Sequence, residues 1–376
     1  MIASRGWTLN RRVFVFSAAL LAGSLAPALG QQAAEPQPGR TYHVGFSQIV
    51  DHPALNETRR GLIDGLAKAG FVQGKNLVFE VQIAQGDVAN ARNIAEKFLA
   101  DNVDMMAVCT TPNTQAAIKV AQGSKIPVVF GCVTNPVEAG ILKSLDQPTG
   151  TNVTGIFGIP PVAQMFDIML QIKPGIKAIG TIYNAAESNS NVINRLAKAE
   201  AEKRGLTWTE VQVASSAEVK NAIDSLVGKV DTVLTGQDNT VSSAFEALVK
   251  TARDNKIALF SLDTATVERG ALASYAQDQY QTGMDWANDI AAPVLLGHDP
   301  GTLMPARYRR WVLYLNTAAA PAMDVTIPPQ LVAQAGKVVD DESVYVERCL
   351  DIFFGNLKRF LASRPLENVV DTRLGY

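Results

Sequence analysis

From residue 41 the chain alternates short apolar runs with longer amphipathic stretches. The run at 42–46 predicts a strand, and 53–70 a helix with Leu55, Leu62 and Leu66 on one face and Gly70 as its stop. Leu77, Phe79, Val81 and Ile83 alternate along a second strand at 76–83, and 87–102 predicts the next helix. Apolar runs at 105–108 and 127–133 predict two further strands. Each ends in hydroxyl and amide side chains beside a proline, in "CTTPNTQAA" and "VTNPVEAG", with a helix-like stretch after it. After "TNVTG" at 151–155 the alternation restarts, with strands at 178–183, 207–213, 232–234 and 258–261 and helices at 189–205, 217–227 and 241–255. Alternating βαβ units imply parallel sheets covered by helices on both faces. The expected fold is therefore α/β, with two Rossmann-like lobes broken near Thr154.

That architecture says where function sits. Open parallel sheets bind ligands beyond the carboxyl ends of their strands, where helix N-termini converge. In the first series that edge carries Ser47 and Gln48, then Thr110, Thr111, Pro112 and Asn113, then Thr134 and Asn135. In the second it carries Asn184, Ser188 and Asn189, then Gln237, Asp238 and Asn239, then Ser261 and Asp263. Pro112 and Pro136 suit a first helical turn, where a missing N–H costs nothing. Any one of these residues is explained by helix capping. Their recurrence at one edge of both lobes points to a shared binding crevice.

The N-terminus reads as a leader. Arg5, Arg11 and Arg12 precede an apolar run at 13–25, and Ala28-Leu29-Gly30 offers small residues for cleavage. A cleaved signal peptide at 1–30 implies export, and Arg11-Arg12-Val13-Phe14 resembles a twin-arginine signal. Past it, no tract is long and apolar enough to span a bilayer, so the cleaved protein is expected not to cross one. With 376 residues, 47% hydrophobic, and a net charge of −2, the chain has material for two cores and no basic excess to hold nucleic acid. Three cysteines leave at least one unpaired. Neighbouring parallel strands present Cβ atoms poorly for a bridge, so Cys109 and Cys132 are expected as small buried thiols. The histidines, His43, His52 and His298, form no metal-ligand spacing with the cysteines, and no cofactor or metal is expected.

The stretches "GFSQIVDHPALNETRRGLIDGL", "TTPNTQAA", "PVVFGCVTNPVEAGI", "DNTVSSAFEALVKTARDNKI" and "VERGALASYAQDQYQTG" run in order between residues 45 and 283. Together they resemble the ABC-transporter substrate-binding proteins of type I periplasmic fold, in the family with tryptophan- and tyrosine-binding members. The resemblance implies a clamshell that takes a small solute in its cleft and presents it to ABC permease subunits in the inner membrane, hence a periplasmic location and no catalysis. It also implies three crossings between lobes, placed near Thr154, Ala276 and Pro305. Lobe 1 is then 41–154 with 277–305, and lobe 2 is 155–276 with 306–340. The polar edge suits an amino acid or related carboxylate. Its carboxylate would face the turn at Pro112 with Thr110, Thr111 or Thr134, and its ammonium Asp238 or Asp263. Asp238 serves equally well as the cap of the helix that follows, and His52 as a turn residue or part of the cleft mouth.

The tail departs from this pattern. Residues 345–376 resemble the carboxy-terminal end of D-isomer 2-hydroxyacid dehydrogenases, and 341–376 is expected to be an appended element. It predicts an amphipathic helix whose Val346, Leu350, Phe353, Leu357 and Phe360 should dock on a lobe or on a second chain. A dehydrogenase is thus one alternative, although no G-x-G-x-x-G follows any strand. A ligand-sensing receptor of the same fold is another.

Overall fold

The computed structural model of the chain describes residues 35–367, without the side chains of 342–348. The expected signal peptide lies outside these residues, and the side chain of Val346 in the tail stripe is among those not described. The first series runs β1 (Tyr42–Gln48), α1 (Pro53–Lys68), β2 (Leu77–Ile83), α2 (Val88–Ala100), β3 (Met105–Cys109), α3 (Thr111–Val120), β4 (Val128–Val133) and β5 (Val153–Phe157). The second runs α4 (Val162–Ile172), β6 (Ala178–Tyr183), α5 (Ser188–Lys203), β7 (Thr207–Gln212), α6 (Val219–Leu226) and β8 (Thr232–Thr235). It continues with α7 (Asn239–Ser242), α8 (Phe245–Asp254), β9 (Ala258–Ser261), α9 (Ala265–Glu268) and β10 (Ala273–Gln277). Then come α10 (Gln279–Trp286), α11 (Ala292–Leu295), β11 (Ala306–Arg307), β12 (Trp311–Asn316), α12 (Pro329–Val332), β13 (Lys337–Val339) and α13 (Asp341–Leu361).

The strands form two sheets. One has the order β11-β5-β4-β3-β1-β2 and is parallel throughout. The other has the order β13-β12-β10-β9-β8-β6-β7 and is parallel except where β12 runs against β10. Each sheet, with its helices, has its own buried core. Phe46, Leu62, Met105 and Trp286 lie in the first lobe, and Phe166, Ile179, Leu259 and Leu272 in the second.

The chain does not change lobes at Thr154. Thr154 lies inside β5, which still belongs to the first sheet, so the crossing comes after Phe157. The short strand was hidden because Thr154 and Gly155 interrupt its apolar residues. The return falls between β10 and α10, where Gly61 and Gly283 let α10 lie close on α1. A Cβ on Gly61 would stand 2.0 Å from the Tyr280 carbonyl oxygen, so only glycine permits this approach. The last crossing follows β11, which also pairs in the first sheet, so it lies beyond Pro305. Backbone bonds tie the crossings together: Tyr308 N–H donates to the Phe157 carbonyl and Asp278 N–H to that of Arg310.

Three other expectations need correction. After β4 the chain makes turns at 136–140 instead of a helix: Asn135 accepts from Val137 and Glu138 N–H as a helix cap would, but Gly140, with a φ of 68°, leaves the helical conformation within a turn. Cys109 and Cys132 are joined in a disulfide, with Cα atoms 5.2 Å apart. Regular parallel strands would oppose that bond, but β4 slips register between Phe130 and Val133, and Cys132 has a φ of 54° that turns its side chain off the regular pleat. Finally, Leu350, Phe353, Leu357 and Phe360 of α13 are exposed, so the expected docking on a lobe is not formed among the described residues. Among the described residues outside the tail, the exposed large apolar side chains are Val78, Val81, Val88, Val137 and Met304. No helix of the described residues is long and apolar enough to cross a membrane.

Candidate functional site

The carboxyl ends of both sheets face a common cavity of about 50 Å³, room for a few waters. Its first-lobe wall is built where β3 and β4 end. Thr110 has a φ of 86°, a strained value for a β-branched residue, and strain of that kind collects at functional sites. The turn puts Thr110, Thr111, Cys132 and Thr134 on the wall. The hydroxyls of Thr110 and Thr111 are buried there without a protein partner. α3 starts at Thr111, and the leading N–H groups of a helix lack intrahelical acceptors, so this wall favours an anion. The disulfide fastens the two strand ends that carry it.

The second-lobe wall presents Asn189, Gln237, Asp238, Asn239 and Asp263. Here the two acidic candidates part. Asp238 caps α7 by accepting from Val241 N–H at 2.8 Å, and it also accepts from Asn184 N–H at 2.6 Å and the Ser190 hydroxyl at 2.7 Å. These donors favour its charge, but burial and then the nearby Glu187 carboxylate outweigh them, and its pKa is pushed up to about 7. Its oxygens are committed to holding the wall. Asp263 is different. One of its oxygens accepts from Ala265 N–H at 3.0 Å, while the other faces His52 Nε2 across the cleft at 3.5 Å.

The remaining predicted residues are structural or lie beside the cavity. Asn113 donates to the Ser47 hydroxyl at 2.9 Å and so joins the ends of β1 and β3. Gln48 bonds to the Val50 carbonyl, Asn56 and Arg59. Asn135 donates to Glu138, which pairs with Arg195 of α5 across the lobes. Pro112 and Asn184 line a neighbouring groove of about 490 Å³ between the lobes. Ser188 is half-buried with its hydroxyl buried and unpartnered, away from the lining.

Several lining residues escaped selection as site residues. Gln277 ends β10 and Gln279 begins α10, and both reach the cavity because the chain crosses between lobes there. Ser242, on α7, joins them. Glu187 is a buried brace, accepting from the backbone and side chains of both Asn239 and Thr240. The only cue to it was an acidic residue just before the Ser188-Asn189 helix start. Phe46 in β1 and Phe157 at the end of β5 lie in the core and not on the cavity wall. Among the described residues no His, Cys, Asp and Glu side chains cluster in a way that would hold a metal ion.

The family model for ABC transporter substrate binding proteins matches residues 43–339, from β1 to β13. The chain belongs to that family. The matched region ends just before α13, so the tail that resembles a dehydrogenase lies outside it. A "Tyrosine-binding protein" of Clostridioides difficile (strain R20291) is 33% identical over 283 residues, 75% of this chain and 81% of that one. A conserved domain protein from Vibrio cholerae is 39% identical with a TM-score of 0.76, covering 80% of this chain and 100% of that one.

Two further structures bear on conformation. A Streptococcus pneumoniae ABC domain in complex with L-Trp is 28% identical with a TM-score of 0.75. The ligand-free, open structure of a Clostridium difficile substrate binding protein is 32% identical, yet scores 0.61. Each match covers 80% of this chain and 100% of the other. The better match in sequence is the worse match in shape. In overall shape this chain matches the L-Trp complex better than the ligand-free, open structure. The small cavity and the direct contact between Glu138 and Arg195 show that the two lobes meet across the cleft here.

Proposed function

We propose that this family member captures an amino acid, or a close relative bearing both carboxylate and ammonium, and hands it to ABC permease subunits in the inner membrane. The observation that carries this reading is that Thr110 and Thr111, whose buried hydroxyls are unpartnered, line the same cavity as Asp263 of the other lobe. The solute carboxylate sits at the start of α3 on the first lobe, and its ammonium at the free oxygen of Asp263 on the second. Neither lobe satisfies both ends, so the solute shifts the protein toward closure. Charge-assisted hydrogen bonds contribute roughly 1.5–3 kcal/mol each, so a few supply the ~8 kcal/mol of micromolar affinity. The names of the relatives make L-tyrosine and L-tryptophan the first solutes to try.

In this reading the leader at 1–30 exports the chain to the periplasm, and binding needs neither cofactor nor turnover. A thermal-shift panel of the twenty amino acids and their decarboxylated amines tests it. An amino acid at a hundred times its dissociation constant should stabilise the purified protein by about 2.7 kcal/mol, and its amine far less. A panel without any shift, or one in which the amine matches its amino acid, overturns the reading.

A further inference from the structure

We infer that His52 reads the solute's carboxylate through a single fixed donor, its Nε2–H; this rests on the amino-acid reading above. His52 precedes α1 in extended conformation, and its Nδ1 accepts the N–H of Ala54 at 3.3 Å. A ring nitrogen that accepts a backbone N–H cannot hold a proton, so the neutral imidazole carries its hydrogen on Nε2. That atom is buried without a hydrogen-bond partner, in a residue lining the cavity.

The surroundings keep the ring neutral. Burial is the largest influence and lowers its pKa below 6.5; Asp263, Glu246 and Asp51 oppose this and Arg269 adds to it. The N-terminus of α1 also disfavours a cation at this position. The side chain therefore offers one hydrogen in one direction at neutral pH. Asp263 Oδ2, at 3.5 Å, is too far to take it as a proper hydrogen bond. An α-amino acid presents an acceptor and a donor on one carbon. That is the complement of a His52 donor on one lobe beside an Asp263 acceptor on the other. Thr110 and Thr111 share the first-lobe wall with His52 and supply further donors to the same carboxylate.

Two variants separate this role from the cap. His52→Asn keeps a good N-cap acceptor but is too short to place a donor where Nε2 lies. His52→Gln extends an amide N–H toward that point and caps less well. Dissociation constants are measured by calorimetry for L-tyrosine and its methyl ester, which lacks the carboxylate charge. Where another of the twenty amino acids binds more tightly, that amino acid and its ester are used. His52→Asn should weaken the amino acid by about tenfold or more and the ester by less than about threefold, with little change in melting temperature. His52→Gln should recover most of the lost affinity despite a lower melting temperature. Equal losses for amino acid and ester would make His52 a lobe-to-lobe latch on Asp263 and overturn the inference. Unchanged affinity in His52→Asn would overturn it too. Wild-type protein that binds none of the twenty defeats the amino-acid reading itself and this inference with it.

Discussion

Thr111→Val should make the empty protein no less stable while weakening solute binding. The substitution keeps shape and β-branching and removes only the hydroxyl, which is buried without a protein partner at the cavity wall. An unsatisfied buried hydroxyl costs about 1–3 kcal/mol, less where a cavity water bonds to it, so its removal should raise stability by between zero and about 1 kcal/mol. The two residue types have similar helix propensity, so the start of α3 should not suffer. In a protein of this size the gain is a rise in melting temperature of up to about 2 °C. The liganded state loses a hydrogen bond to a carboxylate, worth roughly 1.5–3 kcal/mol, or about 10- to 150-fold in affinity. Calorimetric titration with the amino acid that binds wild type, beside differential scanning fluorimetry of the empty protein, reads both signs at once. Normal affinity with a clearly lower melting temperature would make Thr111 a structural cap and remove it from the site.

Other consequences are separately measurable. Reversing Arg195 to Glu breaks the exposed pair that joins the lobes, Nη2 lying 2.9 and 2.7 Å from the Glu138 oxygens. Exposed pairs are worth only about 0.2–1 kcal/mol, so affinity should fall about 1.4- to fivefold and return in Arg195→Glu/Glu138→Arg; a double reversal no better than the single one refutes the clasp. Replacing Cys109 and Cys132 by Ala opens a loop with a sequence separation of 23. Urea unfolding should then show a loss of roughly 3 kcal/mol in the loop-entropy account, and an unchanged midpoint would count against the bridge. Asp238 holds its proton up to about pH 7 in the folded protein against 3.8 in the unfolded chain. Its stabilisation is therefore complete below about pH 4 and is lost as pH rises through about 7, so Asp238→Asn should flatten that part of the stability–pH curve. Truncation after Asp340 removes no lining residue and should leave affinity unchanged.

The sequence alone determined the alternation, and with it the two parallel sheets, because strand and helix periods are local properties of the chain. It also marked the edge where the cavity lies, since polar residues after apolar runs are visible one strand at a time. It could not separate cavity wall from scaffold within that edge. Ser47 and Asn113 look as suitable as Thr110 in one dimension, yet they bond to each other while Thr110 lines the cavity with its buried hydroxyl unpartnered. Asp238 and Asp263 likewise share a sequence context, and only the packing of Asn184 and Ser190 against Asp238, beside its cap on Val241 N–H, occupies both of its oxygens, while one oxygen of Asp263 is left toward the cleft. The disulfide depended on a register slip inside β4, invisible to any rule for regular strands. Gln277, Gln279 and the His52–Asp263 approach were decided last. They exist because distant segments cross or close upon one another, and proximity across lobes is a property of the tertiary fold that no window of sequence contains.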